Sequence, residues 1–340
     1  MLEYKKDDLK ATLVLLPTLL LTTVFMIYPI IRAFLMAFMD GYTYGAARGS
    51  TFVYNWFEHF GKTIETVDSL GNKTTFRIGI GIESFKHIWT DKTFLTSLGN
   101  TALIVVISVP LTIMVALFIT VALNGIKKGQ GVFQTIYFLP YVTNTIAVGL
   151  TFAAIFGSSS GLINSLRIGL GKEAIPWVNR VILDNGESRI PKYMAGFLVI
   201  IIHSLWHGLA FKIMVFLSGM QSIDKQYYQS AQIDSTPRER VFRRITVPLL
   251  SPMISYISIT SFIGAFKVYT SVLALFNGKM GTDDNPDRYL TIVGYVYKWV
   301  GRSDEVNGQP RAAAASISLF IIIMIITIIQ QQISKRKVHY

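Results

Sequence analysis

His203 and His207 are four residues apart in an apolar segment, a spacing that places two imidazoles on one face of a helix. Two imidazoles on one face could begin a metal site. Further ligands are missing, because the chain has no Cys and its long apolar segments contain no Asp or Glu. We therefore expect no metal and no cofactor on this chain, and interpret His207 as a hydrogen-bonding residue that faces the interior of a helix bundle.

Lys267 is a cation at the end of another apolar segment. A charged side chain within a membrane span is a functional candidate by default, and its alternatives are snorkelling to the interface or pairing with a neighbouring subunit. An internal ion pair is not expected, since the apolar segments supply no carboxylate. The same absence argues against a proton- or sodium-coupled transporter.

Enzymatic chemistry has little support in the sequence. No paired carboxylates or Ser–His–Asp arrangement stand out, and the chain has no complete Walker A motif. We expect a protein that is not an enzyme, and any energy from ATP must come from another polypeptide.

The elements that carry these residues are membrane spans. The chain has 340 residues, of which 51% are hydrophobic and only 15% charged, whereas a soluble domain carries about 25% charged residues. Apolar segments near the length of about 20 residues that crosses a bilayer predict an all-α polytopic membrane protein with about six transmembrane helices. We expect one transmembrane domain over 1–340, with spans at roughly 11–35, 97–123, 132–156, 193–220, 248–276 and 312–333.

The distribution of Lys and Arg predicts the orientation. Residues 1–10, 124–131, 221–247 and 334–340 carry 13 Lys and Arg in 52 positions, against 16 in 127 for the connections on the other side. Both termini are therefore expected in the cytoplasm. The topology accounts for the excess of basic residues, so we expect no nucleic-acid partner. We do expect contact with membrane lipid.

The segment 40–95 is predicted to be an external loop or small cap. It is punctuated by Gly and rich in aromatic residues, namely Tyr42, Tyr44, Phe52, Tyr54, Trp56 and Phe57. An interfacial aromatic belt and a docking surface for a partner both remain open for it.

The cytoplasmic loop 221–247 is predicted to form two short helices. Asp224 suits the first turn of the first helix, where a carboxylate meets the positive helix end. Tyr227, Ser230, Ala231 and Asp234 then share one face. Thr236, Pro237 and Glu239 have the spacing of a capping box that begins the second helix. Such a helix could dock in a groove on another protein, or simply lie at the membrane interface.

This loop resembles the cytoplasmic signature loop of binding-protein-dependent ABC importer permeases. The positions that keep the spacing of that pattern are Gln229, Ser230, Ala231, Asp234, Ser235, Thr236, Phe242, Ile245 and Pro248. Gln229 replaces the usual acid, which leaves a neutral amide for contact with an ATPase. Ser235 replaces the usual Gly, where a left-handed backbone costs more.

Shorter matches extend the resemblance over nearly the whole chain, toward the carbohydrate-type branch that includes maltose and glycerol-phosphate permeases. They keep their order along the chain: Leu16-Pro17, Tyr28-Pro29, Asp91, Phe94, Leu98, Asn100, Thr101, 138–140, 161–164, Pro176-Trp177, Trp206, Phe211, 219–223, 266–269 and Asn277-Gly278. Thr270 and 278–280 depart from that pattern.

The resemblance implies a type I ABC importer permease in the bacterial plasma membrane. It implies a second permease subunit, two cytoplasmic ATPases that use ATP and Mg²⁺ and grip residues 222–236, and an external solute-binding protein that delivers a sugar. Gln229 makes a heterodimer our preference, beside a partner that keeps the acid.

The substrate pathway follows from the same resemblance, which places it on the fourth span and the facing part of the fifth. It implies Ser204, His207, Gly208, Phe211, Gly264, Ala265 and Val268, and the intramembrane cation Lys267 joins them as a further candidate. Helix packing is the alternative for the small residues. An ion-gradient carrier or channel, and an ABC permease for a non-sugar solute such as glycerol phosphate, stay open as alternative functions.

Overall fold

The computed structural model describes residues 2–42, 60–67, 73–126, 129–158, 161–178, 181–182, 188–189, 193–302 and 307–337. The helices are α1 Leu2–Thr22, α2 Tyr28–Met36, α3 Glu83–Thr90, α4 Lys92–Asn124, α5 Gln130–Val142, α6 Thr145–Ile155, α7 Leu162–Gly169, α8 Tyr193–Gln221, α9 Lys225–Ile233, α10 Arg238–Val241, α11 Val247–Leu249, α12 Ser251–Phe266, α13 Thr270–Leu275, α14 Ile292–Val300 and α15 Gly308–Lys337. Two π-helical turns, Thr23–Ile27 and Phe242–Thr246, join α1 to α2 and α10 to α11.

Strands are few and short, so the predicted all-α class is confirmed. Three antiparallel pairs are described, with Met39 opposite Ile80, Thr63 opposite Arg77, and Val181 opposite Arg189 at their ends. They involve β1 Met39–Asp40, β2 Thr63–Val67, β3 Lys73–Arg77, β4 Gly79–Ile80, β5 Val181–Ile182 and β6 Ser188–Arg189.

Four helices of the described chain are long and apolar enough to cross a membrane, and the number rises to six if each of two bent pairs crosses once. The four are Lys10–Met36, Lys92–Asn124, Tyr193–Gln221 and Gly308–Lys335. This range includes the predicted number of about six.

The third and fifth apolar segments are broken, which the single spans predicted at 132–156 and 248–276 did not anticipate. α5 and α6 meet at 97°. The Asn144 side chain accepts the backbone N–H of Ile146 at 2.8 Å and thereby caps α6 as a new helix. In the fifth segment a 67° bend precedes Ser251, and the helix ends at Phe266 before α13 begins. Pro252 contributes to the bend before Ser251 because it has no N–H to bond to the preceding turn.

By Cα proximity the chain divides into two compact units. The first contains residues 1–94 and 295–318, and the second contains residues 95–294 and 319–340.

In the first unit, Tyr42 is 1% exposed and packs with Ile78. Tyr42 is therefore a core residue of this unit and does not belong to an interfacial aromatic belt. The other aromatic residues expected to form a belt or docking surface in 40–95 (Tyr44, Phe52, Tyr54, Trp56 and Phe57) lie outside the described residues.

The triplet Gly61-Lys62-Thr63 matches the end of a Walker A motif, but the rest of the pattern is absent. Position 56 is Trp where the motif requires Gly. Thr63 begins β2, whereas the Walker Thr begins a helix. This triplet therefore gives no reason to assign phosphate binding to the segment.

The second unit is held by apolar contacts among α4, α8 and α12. Ala116, Leu123, Ile213, Phe216 and Ile257 form its buried cluster. α6 and α13 are in close contact at Gly149, where any side chain would overlap the Ala274 methyl group. Gly149 is required there because only a bare Cα leaves room for that contact.

Two polar residues of the resemblance, Asn100 and Thr101, connect α4 to the first residue of α14 and to the segment before it. Asn100 donates to the carbonyl of Leu290 at 2.9 Å and accepts from the Tyr193 hydroxyl at 2.5 Å. Thr101 accepts the backbone N–H of Ile292 at 3.0 Å. Their role in this structure is to satisfy buried backbone groups across a long sequence separation.

Candidate functional site

A cavity of about 630 Å³ lies within the second unit. We call it the lysine cavity, because Lys212 and Lys267 both line it. Its other lining residues are Ile104, Ser108, Val109, Thr112, Asn144, Thr145, Ile146, His203, Ser204, His207, Gly208, Phe211, Thr260, Ser261, Gly264, Ala265, Val268, Tyr269, Thr270 and Ser271.

Every residue that the sequence suggested for the substrate pathway lines this cavity. α8 contributes four of them and the end of α12 the other four: Ser204, His207, Gly208, Phe211, Gly264, Ala265, Lys267 and Val268. Helical spacing explains the α8 group, since positions 204, 207, 208 and 211 repeat on one face. The end of α12 contributes through a short non-helical stretch that begins at Lys267.

Aromatic and imidazole rings form one wall. The rings of His203 and His207 stack with centroids 6.0 Å apart, and Phe152 meets His203 edge-on at 5.2 Å. Phe211 stacks on Tyr141 at 6.0 Å. The two histidines are thus part of a ring stack, and no group of three or more potential metal ligands occurs in the described part of the chain.

Lys212 was not among the residues expected from the sequence to touch substrate. Its Nζ donates to the carbonyl of Gly208 at 3.1 Å, one turn back on its own helix. Its position in the sequence could have revealed it, because Lys212 interrupts the run of uncharged residues that forms the fourth span. Charged residues within spans face cavities or other helices, so this interruption pointed to the cavity.

Hydroxyl and amide groups complete the lining, and most of them were also missed. Ser108, Thr112, Thr260 and Ser261 come from α4 and α12, and Asn144 comes from the bend between α5 and α6. Asn144 reaches the cavity only because the third span is broken. Packing brings polar residues of separate helices into one site. The sequence pattern of any single span does not show which residues of other spans it will meet.

The lining of the lysine cavity has a definite chemistry. Hydroxyl and amide groups can exchange hydrogen bonds with a polyhydroxylated ligand, and Phe211 offers a flat apolar surface. The two lysines supply positive charge, whereas none of the described lining residues is Asp or Glu. The arrangement suits binding and passage of a small polar solute.

The cytoplasmic loop also has a defined geometry. Asp224 caps α9, accepting the backbone N–H of Gln226 at 2.9 Å. At the other end Ser235 has φ of 51°, in the left-handed region, as expected where the resembling pattern has Gly. The N–H groups of Ser235 and Thr236 bond to the carbonyls of Gln232 and Ala231 at 3.0 and 2.9 Å. Together these bonds form a complete Schellman motif.

The outer face of α9 is exposed, and its inner face is tied to the chain. Tyr227 and Ile233 are 53% and 83% exposed, whereas Ala231 is 6% exposed. Tyr228 and Thr246 hydroxyls are 3.2 Å apart. The expected face of Tyr227, Ser230, Ala231 and Asp234 is therefore not uniformly available, because Ala231 packs inward.

The other positions of the signature pattern lie within this helix or in the segment that follows it. Gln229, Ser230, Asp234, Ser235 and Pro248 are exposed, while Thr236 and Phe242 are half-buried. Phe242 stacks on Phe118 of α4 with centroids 5.9 Å apart. This contact joins the loop to a helix of the second unit.

The predicted capping box is wrong by one residue. Pro237, not Thr236, occupies the N-cap of α10, and no side-chain cap is formed. The N–H of Thr236 completes the Schellman motif of the preceding helix, so it does not donate to the Glu239 side chain as a capping box requires. Glu239 pairs instead with Arg243 at 2.9 Å, an exposed ion pair.

A second cavity, of about 830 Å³, lies within the first unit. We call it the Asp40 pocket; its charged or titratable lining residues are Asp40, Glu83, Lys86, His87 and Arg311. Asp40 accepts backbone N–H groups of Glu83 and Ser84 at the start of α3. Lys86 pairs with Glu83 at 2.7 Å, and the Arg311 guanidinium lies 4.7 Å from the ring centre of Trp299.

Burial shifts the titration of several groups in the first unit. Desolvation raises the pKa of Asp40, although its backbone hydrogen bonds oppose the shift. Desolvation lowers the pKa of His87, and nearby Arg311 acts in the same direction. The pKa of Tyr295 is raised by burial and by the hydrogen bond that its hydroxyl donates to Asp91 at 2.8 Å.

Comparison with known proteins adds sequence relatives. Residues 91–339 match the family described as "Binding-protein-dependent transport system inner membrane component". The lactose transport system permease protein LacF of Rhizobium radiobacter is 28% identical, over 94% of this chain and 91% of LacF. The arabinooligosaccharides transport system permease protein AraP of Bacillus subtilis is also 28% identical, over 94% of this chain and 86% of AraP.

Among solved structures, a chain of a bacterial alginate ABC transporter, in complex with an alginate pentasaccharide-bound periplasmic protein, has a similar fold. The TM-score is 0.74 at 19% identity, over 99% of this chain and 97% of that one. The predicted fold, that of an ABC importer permease, is thereby confirmed.

Proposed function

The chain belongs to the family of binding-protein-dependent transport system inner membrane components, and from this we propose that it is the permease subunit of an ATP-driven sugar importer. It passes a sugar, in oligosaccharide form, from an external binding protein across the bacterial plasma membrane. Relatives named for lactose and for arabinooligosaccharides support the substrate class.

The lysine cavity is the observation that carries this proposal. Eight residues proposed for the substrate pathway, from two helices about 60 residues apart in sequence, line one cavity of about 630 Å³. That volume lies in the range of pockets for small molecules, roughly 300–1,000 Å³. Hydroxyl groups beside an aromatic ring suit a sugar, whose CH face stacks while its hydroxyls exchange hydrogen bonds.

In this proposal the permease does no chemistry and binds no nucleotide. Two cytoplasmic ATPases bind and hydrolyse ATP with Mg²⁺, and a second permease subunit, a different gene product, completes the pathway. Both termini and loop 221–247 lie in the cytoplasm, on the side rich in Lys and Arg. The external binding protein meets the connections on the opposite side.

The loop α9–α10 transmits the movement of the ATPases. The Asp224 cap and the Schellman motif fix both ends of α9, so the helix can act as a rigid element. Its exposed Ile233 and Tyr227 offer apolar area to a partner. Closure of the ATPases on ATP moves this helix, and the bundle then opens outward to accept sugar.

Asp234 is a contact residue for the ATPase in this scheme, and the helix itself argues for that role. Asp234 is the exposed C-cap of α9, where the helix dipole disfavours a negative charge. Asp234→Lys should therefore leave the helix as stable as before, or slightly more so. Any loss of ATPase binding then reflects the interface and not unfolding.

The test is purification of a tagged chain from native membranes in mild detergent, comparing the unmodified chain with Asp234→Lys. We expect an ATPase to accompany the unmodified chain and to be lost with the variant. Asp283→Lys, which alters an exposed carboxylate outside loop 221–247, should keep the ATPase. Recovery of the unmodified chain without any ATPase would contradict the proposal and restore the ion-gradient carrier as the leading alternative.

A further inference from the structure

The lysine cavity contains two cations, and none of the described residues that line it is Asp or Glu. Lys267 follows α12, and Lys212 projects from α8. The ion pairs described elsewhere in the chain all involve other residues. In a membrane protein an uncompensated cation is costly, and it is usually matched by another protein group or by a ligand.

Lys212 is only partly satisfied. Its Nζ carries three N–H donors, and the Gly208 carbonyl, 3.1 Å away, takes one of them. That carbonyl is neutral, so it contributes a hydrogen bond without balancing the charge. Lys212 therefore has donor capacity and positive charge available to a ligand in the lysine cavity.

His203 provides an independent observation. It lines the cavity and is 1% exposed, and neither of its ring nitrogens has a hydrogen-bond partner among the described residues. Buried polar atoms are rarely left unsatisfied in proteins, so such a ring calls for a polar ligand group. Either nitrogen can donate to an anionic oxygen when it carries the proton.

The broken third span adds a further source of positive potential. Asn144, Thr145 and Ile146, at the start of α6, line the same cavity. The N-terminus of a helix carries a partial positive charge, equivalent to about half a unit. Two lysines and this helix end therefore bias the lysine cavity toward negative charge.

We infer that the transported sugar is anionic, an inference that rests on the proposed function. It is a saccharide bearing carboxylate or phosphate groups, whose charge Lys212 and Lys267 balance during passage. A neutral sugar would satisfy the hydroxyl groups of the lining but would leave both lysines uncompensated. Sugar carboxylates and sugar phosphates share this chemistry, since each presents an oxyanion next to several hydroxyl groups.

The experiment begins with deletion of the gene in the native host. Cells are fed a mixed hydrolysate that contains neutral, uronic and phosphorylated saccharides, and depletion of each class from the medium is followed by mass spectrometry. We expect loss of uptake for an anionic class, and the class lost distinguishes carboxylate from phosphate. If only neutral saccharides are affected, sugar import stands and the inference of an anionic substrate is overturned.

The deletion strain is then complemented with Lys212→Met, Lys267→Met and the double variant. Each should lower uptake of the anionic saccharide at least about tenfold, since each removes one partner of a charge pair. Lys212→Arg and Lys267→Arg keep the charge and should recover most of the uptake. Lys279→Met is the matched control: Lys279 pairs with Asp283 at 3.3 Å, is exposed, and lies outside the cavity lining.

Membrane levels of each variant are measured by immunoblot, so that a failure to insert is recognised. If the Met variants do not reach the membrane, the deletion strain still identifies the substrate class and the Arg variants test the charge. Unchanged anionic uptake in a well-inserted double variant would overturn the role of the lysines. If deletion changes the uptake of no saccharide, the proposed function itself fails.

Discussion

The lysine cavity, of about 630 Å³, and the Asp40 pocket, of about 830 Å³, differ in how they hold charge. In the Asp40 pocket, Asp40 accepts backbone N–H groups and Lys86 pairs with Glu83. In the lysine cavity, the described lining residues include Lys212 and Lys267 but no carboxylate. Charges that the chain compensates hold the fold together, whereas charges that it leaves uncompensated are available to a ligand.

Introduction of an acid into the lysine cavity should have the largest effect. Ser204→Asp places a carboxylate among the lining groups, where it would neutralise the lysines and repel an anionic sugar. We expect uptake of the anionic saccharide to fall at least about tenfold. Ser204→Asn introduces a side chain of about the same volume as Asp but without charge, and it should retain most of the uptake. Equal loss in both variants would mean that shape, not charge, distinguishes this cavity.

Removal of the acid from the Asp40 pocket should affect stability and not transport. Asp40→Ala leaves the first N–H groups of α3 without their acceptor, at a cost of about 1–2 kcal/mol. Thermal unfolding of the purified protein in detergent should show a lower midpoint, with uptake per folded molecule unchanged. Asp283→Ala breaks only an exposed ion pair and should change stability by less than about 1 kcal/mol. Similar midpoints for the two variants would contradict a structural role for Asp40.

The smallest expected effect is the contribution of His87 to the pH dependence of stability. Burial lowers the pKa of His87, so the folded state favours its neutral form. The resulting stability is present above about pH 6.5, the ordinary histidine pKa, and is lost as pH falls through the lowered value. The unfolding midpoint should therefore drop more steeply below pH 6.5 in the unmodified chain than in His87→Gln. Parallel pH profiles would exclude this contribution.

Helical spacing and motif resemblance were sufficient to predict part of the site. Ser204, His207 and Phe211 follow one face of α8, and Ser235 adopts the left-handed backbone that the pattern requires. The predicted capping box and the Schellman motif both need the backbone N–H of Thr236 as a donor, and the Schellman motif takes it.

Features that depend on tertiary packing were out of reach of the sequence. The Asp40 pocket joins residues 40, 83 and 311, which share no local pattern. Asn144 and Lys212 reach the lysine cavity because helices bend and pack around it. Asn144 resembled any polar residue in an apolar run, and only its capping bond to Ile146 shows why the span breaks there.

The close contact of Gly149 with Ala274 has a consequence for motion. Because only a residue without a side chain leaves room for Ala274 there, α6 and α13 are in close contact, and we expect them to move together. We then expect flexure at the non-helical joints that precede them, 143–144 and 267–269. Residues of both joints line the lysine cavity. A solute bound there would touch both joints, so we expect its passage to be coupled to their bending.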